Sequence, residues 1–452
     1  MNDTVHVKME GSLAELMVKI DPKLYQKYLS NENGKSVLYV RLKKALYGTL
    51  QAAMLFWRTL TAKLVDMGFE INPYDRCVAN KLIEGKQCTI LWHVDDTKVS
   101  HCNAQVVTGV VNELKEEYGK EAPLTVSRGK KHDYLGMVID YSRDGAVILT
   151  MFDFISNMLK ELPLDMDGVS ATPAPLHLFA VDENAKVLDE TTAQFFHHNV
   201  AKLLFLCKRD RPDIQTAVTF LCTRVKCPDI DDYKKLTRVM KYLRNTASLP
   251  LVMEAENLNA VEWWVDASFA VHPNMRSHTG CVMMLGAGAV YASSTKQKLN
   301  TRSSTEAELV GVYDAMPQIL WTRKFLTAQG FDNRGSIIHQ DNQSAMLLEK
   351  HGKISSSKRT RHIDVRYYYI ADCVAGIEVE VKYCPTGEML ADFFTKPLQG
   401  SLFVKFRDLI MNSVIDPDNK YDQDHRSVLD KKESSVCSKK ESGRGPLKLM
   451  AK

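Results

Sequence analysis

Between residues 261 and 396 the spacing of apolar residues switches several times between two and three-to-four, and this succession most constrains the fold. VEWWVDAS (261–268) is an apolar run of strand length. TGCVMML (279–285) and GAVYASS (288–294) follow it, separated by a short Gly-containing turn, as a hairpin requires. Ser303 and Glu306 then form a capping-box pattern, and Leu309, Val312, Met316 and Leu320 repeat along one helical face up to Gly330. SIIHQD (336–341) reads as a strand and NQSAMLLEK as a short helix. RTRHIDVRYYYIADCVAG reads as an amphipathic helix, IEVEVKY (377–383) as an alternating strand, and GEMLADFFTK as a final helix. Three strands, helix, strand, helix, strand, helix predicts an α/β unit over 259–400 with a five-stranded mixed sheet.

Each kind of element carries an acid: Asp266 near the end of the first strand, Glu308 in the first turns of the long helix, Asp341 at the exit of the fourth strand and Asp392 on the last helix. Any one alone reads as a solvated charge. Three of them, however, follow apolar stretches in which a lone carboxylate would be costly to bury. Carboxylates gathered from separate elements suit Mg²⁺, a hard cation that takes oxygen ligands and keeps several waters. Glu306 is the alternative to Glu308, and Asp364 is the rival for the fourth acid. The order Asp, Glu, Asp, Asp on these elements resembles the catalytic set of ribonuclease H. That resemblance implies two Mg²⁺ (or Mn²⁺) ions, roughly 3.5–4 Å apart, held by Asp266, Glu308, Asp341 and Asp392. It also implies cleavage of the RNA strand of an RNA–DNA hybrid. The integrase set runs Asp, Asp, Glu, and here Glu comes second.

The first half holds a second acidic constellation. CTILWHVDDTKVSH (88–101) reads as strand, tight turn, strand, with Asp95 and Asp96 at the turn between β-prone residues. RLKKALYGTLQAAMLFW (41–57) precedes it and DYLGMVIDY (133–141) follows. This triplet resembles the reverse transcriptase of copia-type long-terminal-repeat retrotransposons, and the resemblance continues in order through KRDRPDIQTAV, YLRNT, SSTEAEL, RHIDVRYYYI and LADFFTKPL. It implies an RNA-directed DNA polymerase within a polyprotein that also serves DNA integration, with template RNA, DNA and RNA–DNA hybrid as partners. It further implies Asp95 and Asp96 as polymerase metal ligands and Gln51 as a nucleic-acid contact. His93 stands where the family has Tyr, Ala53 where it has Pro, and Phe56 at the usual Trp position. The family's further carboxylate, on an earlier strand, has no counterpart: only Asp3 and Asp21 precede Gly48, and neither fits. The polymerase site is therefore expected to be incomplete, with the fingers and first catalytic strand missing. A catalytically degenerate nucleic-acid-binding relic is the alternative reading for the chain.

These readings give a multidomain chain, α/β and α+β. The expected parts are an incomplete reverse-transcriptase palm over 1–145, a thumb and connection over 146–258 with a linker at 163–190, the ribonuclease H-like unit over 259–400, and a disordered polar tail over 401–452. A net charge of +4 is too mild for bulk attraction to nucleic acid, so local basic patches must supply it. Candidates are SRGKKHD (127–133), the 294–304 loop with Lys296, Lys298 and Arg302, and the 355–362 segment, where His362 could orient substrate. Trp263, Trp264 and Trp321 read as core, and His197 and His198 as exposed helix residues. Ten cysteines without a C-x-x-C pair predict free thiols, Cys222 and Cys227 among them as buried ones, and a reducing, intracellular compartment. The family implies the cytoplasm and virus-like particles, with the nucleus as a further site. No membrane segment is expected, and the oligomeric state is open.

Overall fold

In the computed structural model the described residues are 6–42, 46, 48–120, 123–255, 260–331, 335–351, 364–376, 378–414 and 448–451. His6–Glu10, Leu29–Glu32 and Lys35–Arg41 form a small antiparallel sheet at the start. Helix α1 (Leu50–Asp66) follows, then strands β1 (Val78–Ile83), β2 (Lys86–His93) and β3 (Asp96–Ser100), and helix α2 (Ala104–Tyr118). Leu60 and Leu64 of α1 and Val107 and Leu114 of α2 pack on Ile90 and Val99 of that sheet.

A second antiparallel sheet is made from β4 (Lys131–Tyr134), β5 (Met137–Asp140), β6 (Ala146–Thr150) and, about a hundred residues later, β7 (Leu251–Ala255). The boundary expected at 145 falls between β5 and β6, neighbours in that sheet, so the structure has no break there. Four helices lie between β6 and β7: α3 (Phe152–Lys160), α4 (Glu190–Cys207), α5 (Gln215–Cys222) and α6 (Ile230–Asn245). A buried cluster ties the turn before α5 to the end of α6, just ahead of β7. Arg211 pairs with Asp213 at 2.7 Å, Tyr242 donates to Asp213 at 2.6 Å, and Arg211 reaches the Thr246 carbonyl at 2.7 Å.

The last unit contains β8 (Ala260–Ser268), β9 (His278–Met284), β10 (Ala289–Lys296), α7 (Ser304–Ala328), β11 (Gly335–Gln340), α8 (Gln343–His351), α9 (Asp364–Ala375), β12 (Val379–Tyr383), α10 (Asp392–Thr395) and α11 (Gly400–Met411). The sheet runs β10-β9-β8-β11-β12, antiparallel through the first three strands and parallel from β8 to β12. This is the five-stranded mixed sheet that the chain order predicts. Strand alternation gives it two buried faces. Val261, Trp263, Val265, Cys281 and Met283 meet Leu309, Val312, Met316 and Ile319 of α7. Val282, Met284 and Ala289 face the other way, into a core shared with Phe220 of α5, Phe394 of α10 and Phe403 and Phe406 of α11.

Several expectations change. GEMLADFFTK is not one helix but a 3₁₀ turn (Thr386–Glu388) and a separate single turn, α10. Met389, Leu390, Ala391, Phe393 and Phe394 are all buried, so the segment is packed on every side and has no polar face for an amphipathic helix. Residues 401–411, expected in the tail, belong to α11 (Gly400–Met411), whose Phe403, Phe406 and Ile410 are buried at helical spacing. The expected linker buries Met166, Leu178 and Phe179, and Thr172 bonds Gln399 at 3.0 Å. Its prolines favour extended chain, which here drapes over the helices. Trp321 is 37 % exposed and donates to the Tyr74 carbonyl at 3.0 Å, while Cys227 is exposed beyond the end of α5. Trp263 is buried, and His197 and His198 are exposed. Among the described residues no helix is long and apolar enough to cross a membrane.

Phe406→Ala should lower unfolding free energy by about 3–5 kcal/mol, the usual cost of a large-to-small change in a core. Urea denaturation of the full chain measures this. An unchanged midpoint would mean that α11 is not part of the core.

Candidate metal centre

Four elements bring their acids to one end of the sheet. Asp266 is on the same face of β8 as Trp264, and Asp341 follows the last residue of the neighbouring β11. Glu308 enters from the first turns of α7, a helix capped where Ser303 Oγ accepts from the Glu306 amide at 3.3 Å. Glu306 itself accepts from the Arg302 amide at 2.8 Å, so its carboxylate serves the helix start. Asp392 opens α10 and supplies the fourth corner, whereas its rival Asp364 opens α9.

Carboxylate oxygens of Asp266, Asp341 and Asp392 lie within 4.8 Å of one another, the only such acid, His or Cys group among the described residues. Asp266, Glu308 and Asp392 are 2 %, 5 % and 4 % exposed. The turn that carries Asp392 fits there because of Gly280, the cross-strand partner of Asp266. A Cβ at 280 would come within 2.7 Å of the Ala391 carbonyl and of Thr395 Cγ2. The turn is also tied from below. Ser294 Oγ donates to the Phe394 carbonyl at 2.8 Å and contacts His278 Nε2 at 2.7 Å, and His278 Nδ1 lies 3.0 Å from His272 Nε2. Phe179, from the expected linker, packs its ring on both imidazoles.

The electrostatics of the cluster are unfavourable as they stand. Burial, with Asp266 and Asp341 beside it, holds the Glu308 carboxyl well above the usual carboxylate range, and Glu308 Oε2 is buried without a hydrogen-bond partner. Burial and the Asp266 charge likewise raise Asp341, whose Oδ2 accepts from Thr386 Oγ1 at 3.0 Å. Asp392 is pushed up to about 7 by burial and by Asp266, against the opposing pull of Lys396. The Lys396 ammonium is 2.6 Å from Asp392 Oδ1 and 3.8 Å from Asp266 Oδ2, and Thr395 Oγ1 donates to Asp266. A divalent cation fits this donor set. All the donors are hard oxygens, and Glu308, outside the three-acid group itself but close enough to feel the Asp266 and Asp341 charges, keeps a buried carboxylate oxygen without a partner.

The other sequence-derived candidates lie elsewhere. Lys296 is half-buried at the end of β10, Lys298 and Arg302 are exposed on the loop before α7, and His362 lies outside the described residues. Gln51 is half-buried in the first turn of α1. Asp95 and Asp96 stand at the two-residue turn joining β2 to β3, closed by the His93–Asp96 pair. Val94 in that turn has φ 55°, a left-handed conformation costly for a β-branched residue. Tyr134 lies nearby, since burial and the Asp96 charge raise its hydroxyl pKa, and Asp96, Asp133, Gly136 and Phe152 line a cavity of about 540 Å³. Sequence reasoning missed Lys396, Thr386, Thr395 and Gly280. Only Lys396 left a trace, four residues after Asp392.

Residues 2–175 match the family model described as reverse transcriptase (RNA-dependent DNA polymerase). Among curated proteins, the Retrovirus-related Pol polyprotein from transposon TNT 1-94 of Nicotiana tabacum is 25% identical over 384 residues, 83% of this chain and 28% of that protein. That from transposon RE1 of Arabidopsis thaliana is 27% identical over 374 residues, 82% of this chain and 25% of the relative. The Ty1-MR1 Gag-Pol polyprotein of Saccharomyces cerevisiae is 24% identical over 379 residues, 79% of this chain and 21% of the relative. Among solved structures, the foamy viral protease-reverse transcriptase in complex with RNA/DNA hybrid is 10% identical, covering 83% of this chain and 42% of that one, with a TM-score of 0.45. The N-terminal RNase H domain of rv2228c from Mycobacterium tuberculosis is 12% identical, covering 30% and 90%, with a TM-score of 0.23. Residues 2–175 thus match a reverse-transcriptase model, and the five-stranded mixed sheet with its acid cluster lies beyond that match. The chain is similar to transposon Pol polyproteins over about four-fifths of its length and spans about a quarter of the length of the curated relatives it matches.

The raised Asp392 pKa predicts a pH dependence of metal-free stability. An unfolded Asp loses its proton near pH 3.8 and the folded one only near 7, so between these values the folded state binds more protons and stability falls as pH rises. Buried His272 and His278, held down to about 4 and about 3, give the opposite slope below their unfolded value of 6.5. The window from pH 6.5 to about 8 therefore isolates the acids. There, in EDTA, the melting temperature should drop, and by less in Asp392→Asn. Equal drops in the two proteins would place the titrating group elsewhere.

Proposed function

We propose that the ribonuclease H-like unit hydrolyses the RNA strand of RNA–DNA hybrids, using two Mg²⁺ or Mn²⁺ ions held by Asp266, Glu308, Asp341 and Asp392. The observation that carries this is the buried carboxylate group with the orphaned Glu308 oxygen. Bound there, such ions would polarise the scissile phosphate and lower the pKa of the attacking water. The chain's own contribution is positioning. Asp266 lies on β8 and Asp341 directly follows the neighbouring β11, and the Gly280 contact sets the height of Asp392 above them. Thr386 and Thr395 orient one carboxylate each. Lys298 and Arg302, exposed on the loop before α7, would meet backbone phosphates, and hydroxyls of Ser303–Thr305 at the helix start would meet ribose 2′-hydroxyls, the groups by which proteins tell RNA from DNA.

Asp266→Asn keeps the side-chain shape and removes a charge facing the dications. In the full chain it should reduce Mg²⁺-dependent cleavage of the RNA strand by more than about 100-fold. Thr386→Ala, which only frees Asp341, should cost about 10–100-fold, the usual worth of an outer partner. Asp95→Asn should leave cleavage unchanged. Cleavage by Asp266→Asn at the parent rate would remove the metal-site assignment.

The polymerase portion reads differently. Asp95 and Asp96 belong to no three-ligand group among the described residues, and two acids at one turn are too few to hold the ions of a phosphoryl transfer. We infer that this chain by itself does not extend a primed template. Purified protein should show no Mg²⁺-dependent nucleotide incorporation, and measurable incorporation would overturn the inference.

A further inference from the structure

Lys396 contributes the only ammonium that contacts the acid cluster among the described residues. It bonds Asp392 at 2.6 Å, stands 3.8 Å from Asp266, and is 40 % exposed at its side chain while both carboxylates are almost wholly buried. Its position is built rather than incidental. Lys396 ends the single turn α10, which Gly280 admits against β9 and which Ser294 holds by the Phe394 carbonyl. The chain then turns at Pro397, and Gln399 Nε2 bonds both the Pro397 carbonyl at 3.1 Å and the Ala174 carbonyl at 2.7 Å. The backbone on either side of Lys396 is thus tied down, while its long side chain is partly exposed to solvent.

We propose that Lys396 is the resident counter-ion of this centre: its ammonium occupies the Asp392 side of the cluster and competes there with a divalent cation. The inference rests on the metal reading above. Asp266 and Asp392, both buried, and half-buried Asp341 repel one another at close range, with Glu308 beside them, and a single ammonium at contact distance offsets part of that repulsion. The same oxygens are the ligands a divalent ion must take, so one cation has to leave Asp392 before another can use it. Thr395 has the contrasting role of a fixed partner, since its hydroxyl donates to Asp266 from within the turn and carries no charge to exchange.

The test uses the full chain, purified in Mn²⁺ and then stripped, with Mn²⁺ affinity read by calorimetry and melting temperature read in EDTA. Lys396→Met should bind Mn²⁺ roughly tenfold more tightly, a factor worth about 1.4 kcal/mol. It should also melt below the parent in EDTA and recover the parent's melting temperature in saturating Mn²⁺. Lys396→Arg, which keeps the charge, should stay near the parent in both readings. If the Met variant cannot be recovered after stripping, Mn²⁺-dependent melting of Lys396→Gln, never taken to zero metal, gives the same comparison of affinities. Parent-like or weaker Mn²⁺ binding by the neutral variants overturns the proposal. Asp266→Asn runs alongside: if it loses Mn²⁺ binding while the Lys396 variants are unchanged, only the counter-ion role fails. If Asp266→Asn binds as the parent does, the metal reading itself fails.

Discussion

Mutual repulsion among Asp266, Glu308, Asp341 and Asp392 is the constraint around which the C-terminal half is arranged. Carboxylates do not assemble in a buried place unaided, and here each is delivered by a different rigid element. Two come from adjacent parallel strands, one from the start of a 25-residue helix, and one from a single helical turn pressed on a glycine. The apolar packing on both faces of the sheet supplies the stability that holds them together. The consequence is a site with raised Glu308, Asp341 and Asp392 pKa values and one ammonium in attendance. The metal reading proposed above accounts for this character, since a divalent cation would offset the repulsion.

That packing carries across the expected borders at 259 and 400. One face of the sheet is closed by α7, within the unit. The other is closed by α5, before it, and by α10 and α11, the second of which lies past residue 400. Cutting at 259 and 400 would strip a buried apolar face of its cover, and the Phe179 ring that rests on His272 and His278 would go with it. The connection helices are therefore part of the scaffold that fixes Asp392.

Strand and helix order in the last unit was legible because its periods are clean. Trp263 and Val265 alternate on β8, and Leu309, Val312 and Met316 repeat on α7. The four acids could be picked out because each ends or opens such a run. GEMLADFFTK was misread for a physical reason: residues 389–395 are all buried, so no periodicity marks where the single turn begins and ends. Gly280 and Thr386 were not legible at all, since their roles depend on contacts across more than a hundred residues in one case and 45 in the other. At the polymerase turn the acids were legible, while the left-handed Val94 was not, because a valine gives no hint of positive φ.

The most direct measurement of the central claim is anomalous diffraction from crystals of the full chain grown with Mn²⁺. The account predicts manganese peaks bounded by Asp266, Glu308, Asp341 and Asp392, with Lys396 turned away from Asp392. Manganese bound only at Asp95 and Asp96, or no peak at the four carboxylates at saturating metal, would contradict it.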